Sequence, residues 1–209
     1  MSDLRDQLIA TARAMQPAGL NRGTSGNISV RCENGCYITP TGLPYESLTA
    51  DDIPLMALDG SHVGSCKPSS EWRFHRDLYA TRPEVGAVLH AHSPFAVSLA
   101  CLRREIPPFH YMIARFGGET IRCADYAIFG SQALSTAAMV AMRDRKGCLL
   151  ANHGLLVAGR DLTEAMALAV ELEELCEQYW RACQLGAPVL LSTAEMAAVL
   201  DKFKSYGQQ

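Results

Sequence analysis

The chain has 209 residues, 48% of them apolar and 20% charged, with a formal net charge of -3. That suits one well-buried domain spanning 1–209, is short for two, and is unlike a disordered chain. Interspersed charges exclude the basic stripe of a nucleic-acid binder, and no apolar run nears the roughly 18 residues of a membrane span.

Leu4, Leu8, Ile9, Ala12 and Met15 recur at helical spacing and predict an amphipathic N-terminal helix that ends before the loop 17–27. Asp3, Arg5, Asp6 and Arg13 interrupt its apolar residues, so it is no secretory leader, and a cytoplasmic location is expected. The eight cysteines form no C-x-x-C pair and read as reduced thiols. Ile28 to Arg31 and Cys36 to Thr39 are β-prone runs joined by Glu33-Asn34-Gly35, a hairpin signal. A third strand is expected over 53–58. Ser70 then reads as the cap of a helix from Glu71 to about Thr81, ended by Pro83.

Gly86 to His92 is a compact apolar strand, and Ser93-Pro94 predicts the start of a helix to about Cys101. Residues 131–143 read as a helix, and 148–152 and 155–158 as strands around His153-Gly154. Asp161 with Glu164 opens a long helix to about Leu185, and Ser192 with Glu195 repeats that capping box for the last helix. Hairpins mixed with helices imply a layered α/β or α+β domain.

His90 and His92 sit at i and i+2 near the end of one predicted strand, so both imidazoles lie on one face. His153 ends another strand, and Gly154 lets the backbone turn sharply beside a ligand. Three neutral imidazoles with an open fourth position are the donor set of a catalytic zinc; each alone is also an ordinary strand-end histidine. Glu71, at the first turn of its helix, is a carboxylate the helix dipole stabilises, and near a metal it could carry a proton to and from carbon. His75, one turn on, reads as structural or as support for that site. Gly23-Thr24-Ser25-Gly26-Asn27, Thr41-Gly42 and Ser69-Ser70 are each ordinary turns or caps; converged, they would cradle a phosphate. The chain has neither a P-loop nor a dinucleotide fingerprint.

Taken together, G-T-S-G-N-I-S-V-R at 23–31, I-T-P-T-G at 38–42, K-P-S-S-E-W-R-F-H at 67–75, V-L-H-A-H at 88–92 and N-H-G at 152–154 resemble the class II aldolase/adducin family. H-Y-M-I-A at 110–114, C-A-x-Y-A-x-F-G at 123–130 and K-F-K-S-Y-G at 202–207 look like its branch acting on L-fuculose 1-phosphate. The resemblance implies a three-layer fold in which helices flank a central, mainly antiparallel sheet. It implies one Zn2+ per subunit on His90, His92 and His153, with Glu71 as acid/base and phosphate against Gly26, Asn27, Thr41, Gly42, Ser69 and Ser70. It further implies a homotetramer with active sites at subunit boundaries, where Tyr111 serves in catalysis and Phe129 and Tyr206 face the aldehyde.

The expected reaction is cleavage of a ketose 1-phosphate to dihydroxyacetone phosphate and a small aldehyde through a zinc-stabilised enediolate. L-fuculose 1-phosphate is the first candidate, then 5-deoxy- or 5-methylthio-ribulose 1-phosphate. Arg115-Phe116 stands where that branch carries small residues, which leaves the shape of the aldehyde pocket open. A ribulose-5-phosphate 4-epimerase would carry an acidic residue within 110–113, and an adducin-like interaction module would lack the metal ligands.

Overall fold

The computed structural model describes residues 3–205. The N-terminal periodicity forms helix α1 (Leu4–Met15), which buries Leu8, Ile9, Ala12 and Met15 and is capped by Asp3. Eight strands follow along the chain: β1 (Asn27–Cys32), β2 (Gly35–Ile38), β3 (Leu55–Met56), β4 (His62–Val63), β5 (Ala87–Ala91), β6 (Cys123–Ala124), β7 (Gly147–Leu150) and β8 (Gly154–Gly159). They make one sheet in the order β4-β3-β2-β1-β5-β8-β7-β6, antiparallel throughout except for the β6–β7 pair.

Helices α2 (Trp72–Thr81), α3 (Pro94–Ala100), α4 (Gln132–Ala141), α5 (Leu162–Leu185) and α6 (Thr193–Ser205) complete the fold. Strand alternation sorts the core into two layers. On β5, Ala87, Leu89 and Ala91 pack with α1, α3 and α5, while Val88 packs with Phe74 and Leu78 of α2 and Leu134 and Ala138 of α4. The three-layer, mainly antiparallel arrangement is the one expected. No described helix is long and apolar enough to cross a membrane.

The local departures have physical reasons. β3 covers two residues rather than the expected six, because Ile53 closes a 3-10 turn and Pro54 has no N–H to donate. β4 and β6, two residues each, are too short to carry a periodic signal. In the first hairpin Cys32 pairs with Gly35, so Glu33 and Asn34 make the turn; Gly35 is needed instead because a Cβ there would lie 2.1 Å from the Met56 carbonyl oxygen. Ser93 does not cap α3. Its hydroxyl donates to Glu173 of α5, whose carboxylate accepts from the N–H groups of Phe95 and Ala96 and so pins the helix that follows the H-x-H segment.

Candidate metal centre

α2 begins one residue later than expected, and this is what frees Glu71. The carbonyl of Ser69 accepts from Trp72 N–H and its hydroxyl from Glu71 N–H, while Glu71 occupies the cap position without using its side chain there. The carboxylate instead turns toward β5. Val88 and His90 share the face of β5 that looks toward α2, and His92 follows just past the strand end. His153 sits in the tight turn between β7 and β8, after Asn152 in the left-handed conformation (φ 54°). A Cβ at Gly154 would lie 2.3 Å from the Ala91 carbonyl oxygen, so only glycine lets this turn close on β5.

Four donors converge. His90 Nε2 lies 2.9 Å from His92 Nε2 and 3.2 Å from Glu71 Oε2, and His153 Nε2 lies 3.2 Å from Glu71 Oε1. One ligand atom from each residue falls within 4.8 Å of the others. Donors bound at ~2.0–2.2 Å in a tetrahedral array stand roughly 3.3–3.5 Å apart, so the spacing fits a metal ion. His90 Nδ1 is 2.8 Å from the Leu155 carbonyl oxygen, a contact only Nδ1–H can make, which leaves the Nε2 lone pair facing the site. A lone pair and a carboxylate oxygen 3.2 Å apart repel unless a cation lies between them. Glu71 Oε1 is likewise buried and accepts no hydrogen bond. The group is thus suited to a metal.

Protonation agrees with that role. Burial pushes the Glu71 carboxyl up, but His90, His153 and the Asn27 amide outweigh it and hold the group down at about 2. Burial, then the charge of His90, pushes His92 and His153 down to about 4, and burial pushes His75 down to about 3. All these values lie below those of the unfolded chain, so the unfolded state takes up protons first. The metal-free protein is therefore expected to hold its stability above about pH 6.5 and lose it as the pH falls toward 4, with fully buried His75 alone contributing up to about 1.4 kcal/mol per pH unit. Thermal melts from pH 8 to 4 test this; a melting temperature that is flat or rising on acidification overturns it.

Beside the donors opens a cleft of about 370 Å³ lined by Gly26, Asn27, Thr41, Gly42, Ser69 and Ser70 together with Glu71, His92 and His153. All six proposed phosphate residues therefore lie on one wall. Bridges hold them there: Thr41 N–H donates to the Lys67 carbonyl, Ser69 N–H to the Thr39 carbonyl, and the buried Tyr45 hydroxyl to the Gly26 carbonyl. Gly26 (φ 80°) admits no side chain, since a Cβ would meet Asn21 Oδ1 at 2.6 Å and the His90 carbonyl oxygen at 2.7 Å. Ala127, Phe129 and Tyr126 also line the cleft, and Phe129 and Tyr126 are exposed. Arg73 ties this segment down by donating to the Gly130 carbonyl.

Three of the predicted residues that the structure describes do not line this chain's cleft. Tyr111 is half exposed and lines a separate groove with Met112, Val199 and Phe203. Tyr206 lies outside the described residues. Phe116 is fully buried in the core and Arg115 pairs with Glu171 of α5 at 2.9 Å, so neither lines the cleft of this chain. Six further residues line the cleft without an individual role assigned from sequence, Thr24, Ser25, Pro40, Tyr126, Ala127 and Asn152, although each lies inside one of the motifs that carry the family resemblance.

Comparison with known proteins agrees. Residues 6–180 match the family model described as Class II Aldolase and Adducin N-terminal domain. The chain is 53% identical over 204 residues to a 5-methylthioribulose-1-phosphate/5-deoxyribulose-1-phosphate aldolase of Rhodospirillum rubrum, covering 98% of this chain and 92% of the relative. It is 45% identical over 205 residues to an L-fuculose phosphate aldolase of Escherichia coli K12, covering 98% and 95%. A solved L-fuculose 1-phosphate aldolase superposes with a TM-score of 0.93 at 38% identity, covering 98% and 97% of the two chains. With the fold, the donor group and these relatives in agreement, the chain belongs to the class II aldolase and adducin N-terminal domain family.

Proposed function

We propose that this protein is a zinc-dependent aldolase that splits a ketose 1-phosphate into dihydroxyacetone phosphate and a small aldehyde. The observation that carries the reading is the convergence of Glu71, His90, His92 and His153 beside a cleft lined by Thr41, Ser69, Ser70 and two glycine turns. When bound, zinc supplies Lewis-acid stabilisation of the negative charge that bond cleavage leaves on the ketone half. The wall formed by Gly26, Asn27, Thr41, Gly42, Ser69 and Ser70 holds the phosphate and fixes the sugar chain against the donors. Glu71 returns a proton to the carbon that has lost the aldehyde, and removes it in the reverse direction. Retaining all four donors disfavours an adducin-like interaction module, and His110 to Ile113 carry no acidic residue such as the epimerase needs.

The preferred substrates are 5-methylthioribulose or 5-deoxyribulose 1-phosphate, ahead of L-fuculose 1-phosphate. The higher identity to the relative of that name, 53% against 45%, supports this order. In an assay of dihydroxyacetone phosphate release, those two substrates are expected to turn over fastest, and ribulose 5-phosphate, followed separately by formation of xylulose 5-phosphate, is expected to be silent. No release from any 1-phosphate overturns the reading, and activity on the 5-phosphate alone makes the protein an epimerase.

The protein acts as a cytoplasmic homotetramer in which Tyr111 reaches the aldehyde side of a neighbouring subunit's cleft and exchanges the proton on the aldehyde oxygen. The exposure of Tyr111 away from its own cleft supports this, as do eight free cysteines for a reducing compartment. Glu71→Gln and Tyr111→Phe subunits, each impaired alone, are expected to regain activity when mixed and reassembled; absence of recovery overturns the placement in trans.

A further inference from the structure

Beside the buried Phe74 and Leu78, a polar stripe runs along the side of α2 that meets the sheet. Glu71, His75 and Tyr79 repeat every four residues along it, and Asn27 and Ser29 alternate along the facing side of β1. All five are buried, and they interleave. Tyr79 Oη lies 2.8 Å from Ser29 Oγ, Ser29 Oγ 2.7 Å from His75 Nδ1, His75 Nε2 2.6 Å from Asn27 Oδ1, and Asn27 Nδ2 3.1 Å from Glu71 Oε2. Arg31, two residues further along β1, anchors the inner end: its guanidinium stacks 4.8 Å from the Tyr79 ring centroid and donates to the Tyr79 carbonyl.

Hydrogen-bond counting fixes the direction of this chain. Ser29 has one hydroxyl hydrogen and touches two groups. If it gives that hydrogen to Tyr79, His75 must donate through Nδ1, its Nε2 is a bare acceptor, and Asn27 has to turn its amide nitrogen toward His75. The Asn27 carbonyl oxygen would then face the Glu71 carboxylate, two acceptors at 3.1 Å in a buried site. The opposite direction satisfies every contact: Tyr79 donates to Ser29, Ser29 to His75 Nδ1, His75 Nε2–H to Asn27, and Asn27 to Glu71.

From this geometry we infer that His75 is a positioning residue for the reaction. Its Nε2–H locks the Asn27 amide so that Asn27 donates to Glu71 Oε2, which leaves Oε1 as the oxygen free to carry the proton. The inference rests on the aldolase reading for the identity of the proton carrier; the tautomer of His75 does not. A merely structural histidine would fill the same space with either tautomer and without consequence for turnover.

The test pairs a spectroscopic readout with variants. Nitrogen-15 NMR of the histidine side chains, in metal-free and zinc-loaded protein, is expected to show His75 as the neutral Nε2–H tautomer in both; an Nδ1–H tautomer overturns the inference whatever the activity. His75→Gln keeps a donor near the Nε2 position, whereas His75→Asn keeps only a group near Nδ1. Turnover number is expected to fall roughly 10- to 100-fold in His75→Asn and to be largely kept in His75→Gln, with zinc content and KM little changed in either. Equal losses in the two variants, or a loss that follows zinc content, overturn it. If the wild-type protein cleaves no ketose 1-phosphate, the aldolase reading fails and the tautomer alone decides whether the directed chain exists.

Discussion

Replacing Glu71 with glutamine is expected to leave a folded, metal-loaded protein that has lost roughly 10²- to 10⁴-fold in turnover number. Glutamine is close to isosteric with glutamate, and its carbonyl oxygen can still accept from Asn27 Nδ2, the contact now made to Glu71 Oε2 at 3.1 Å. His90, His92 and His153 remain to hold the ion. The amide cannot bind and release a proton near neutral pH, so only the transfer to carbon is removed. Metal per subunit and turnover measured on the same sample separate the possible roles. Full activity sinks the proton-carrier assignment. Loss of metal in step with activity would instead make Glu71 chiefly a ligand, a role its 3.2 Å approaches to His90 Nε2 and His153 Nε2 make geometrically available.

That ambiguity shows where sequence reasoning stopped. The H-x-H spacing on a strand was legible because alternation of side chains is a local property, and Val88 and His90 do share one face of β5. Sheet order, by contrast, depends on which strands find one another. Nothing in the spacing states that β8 packs beside β5 and brings His153 within reach, or that Glu71 turns back from the start of α2. The polar stripe Glu71, His75, Tyr79 was readable as a four-residue period, and Asn27, Ser29, Arg31 as a two-residue period, but their interleaving appears only when α2 lies across β1. Short edge strands such as β4 and β6 carried no periodic signal, and the role of Gly35 depends on a partner strand twenty residues away. Arg115 and Phe116 show the same limit: a departure from the branch pattern marks the two positions but does not say that packing puts Phe116 in the core and Arg115 in an ion pair with α5.

Removing either of two metal ligands is expected to give the same functional result with different effects on stability. His90→Ala and His153→Ala should each abolish stoichiometric zinc binding and measurable turnover, because only two of the three imidazoles that hold the ion remain and Glu71 is occupied as proton carrier. Their metal-free forms should differ. His90 is fully buried, packs edge-on against Phe74 with ring centroids 5.5 Å apart, and donates Nδ1–H to the Leu155 carbonyl. Its loss opens a cavity and orphans a strand carbonyl, a combined destabilisation of about 2–4 kcal/mol. His153 stands at the cleft rim in a turn, where truncation removes less packing and costs about 1 kcal/mol or less. Chemical denaturation of the metal-free variants, with zinc content measured on the loaded ones, checks both halves. Retained zinc in either variant removes that histidine from the donor set. Equal destabilisation would mean that the two imidazoles are held with equal firmness, against the burial and hydrogen bonding that distinguish them.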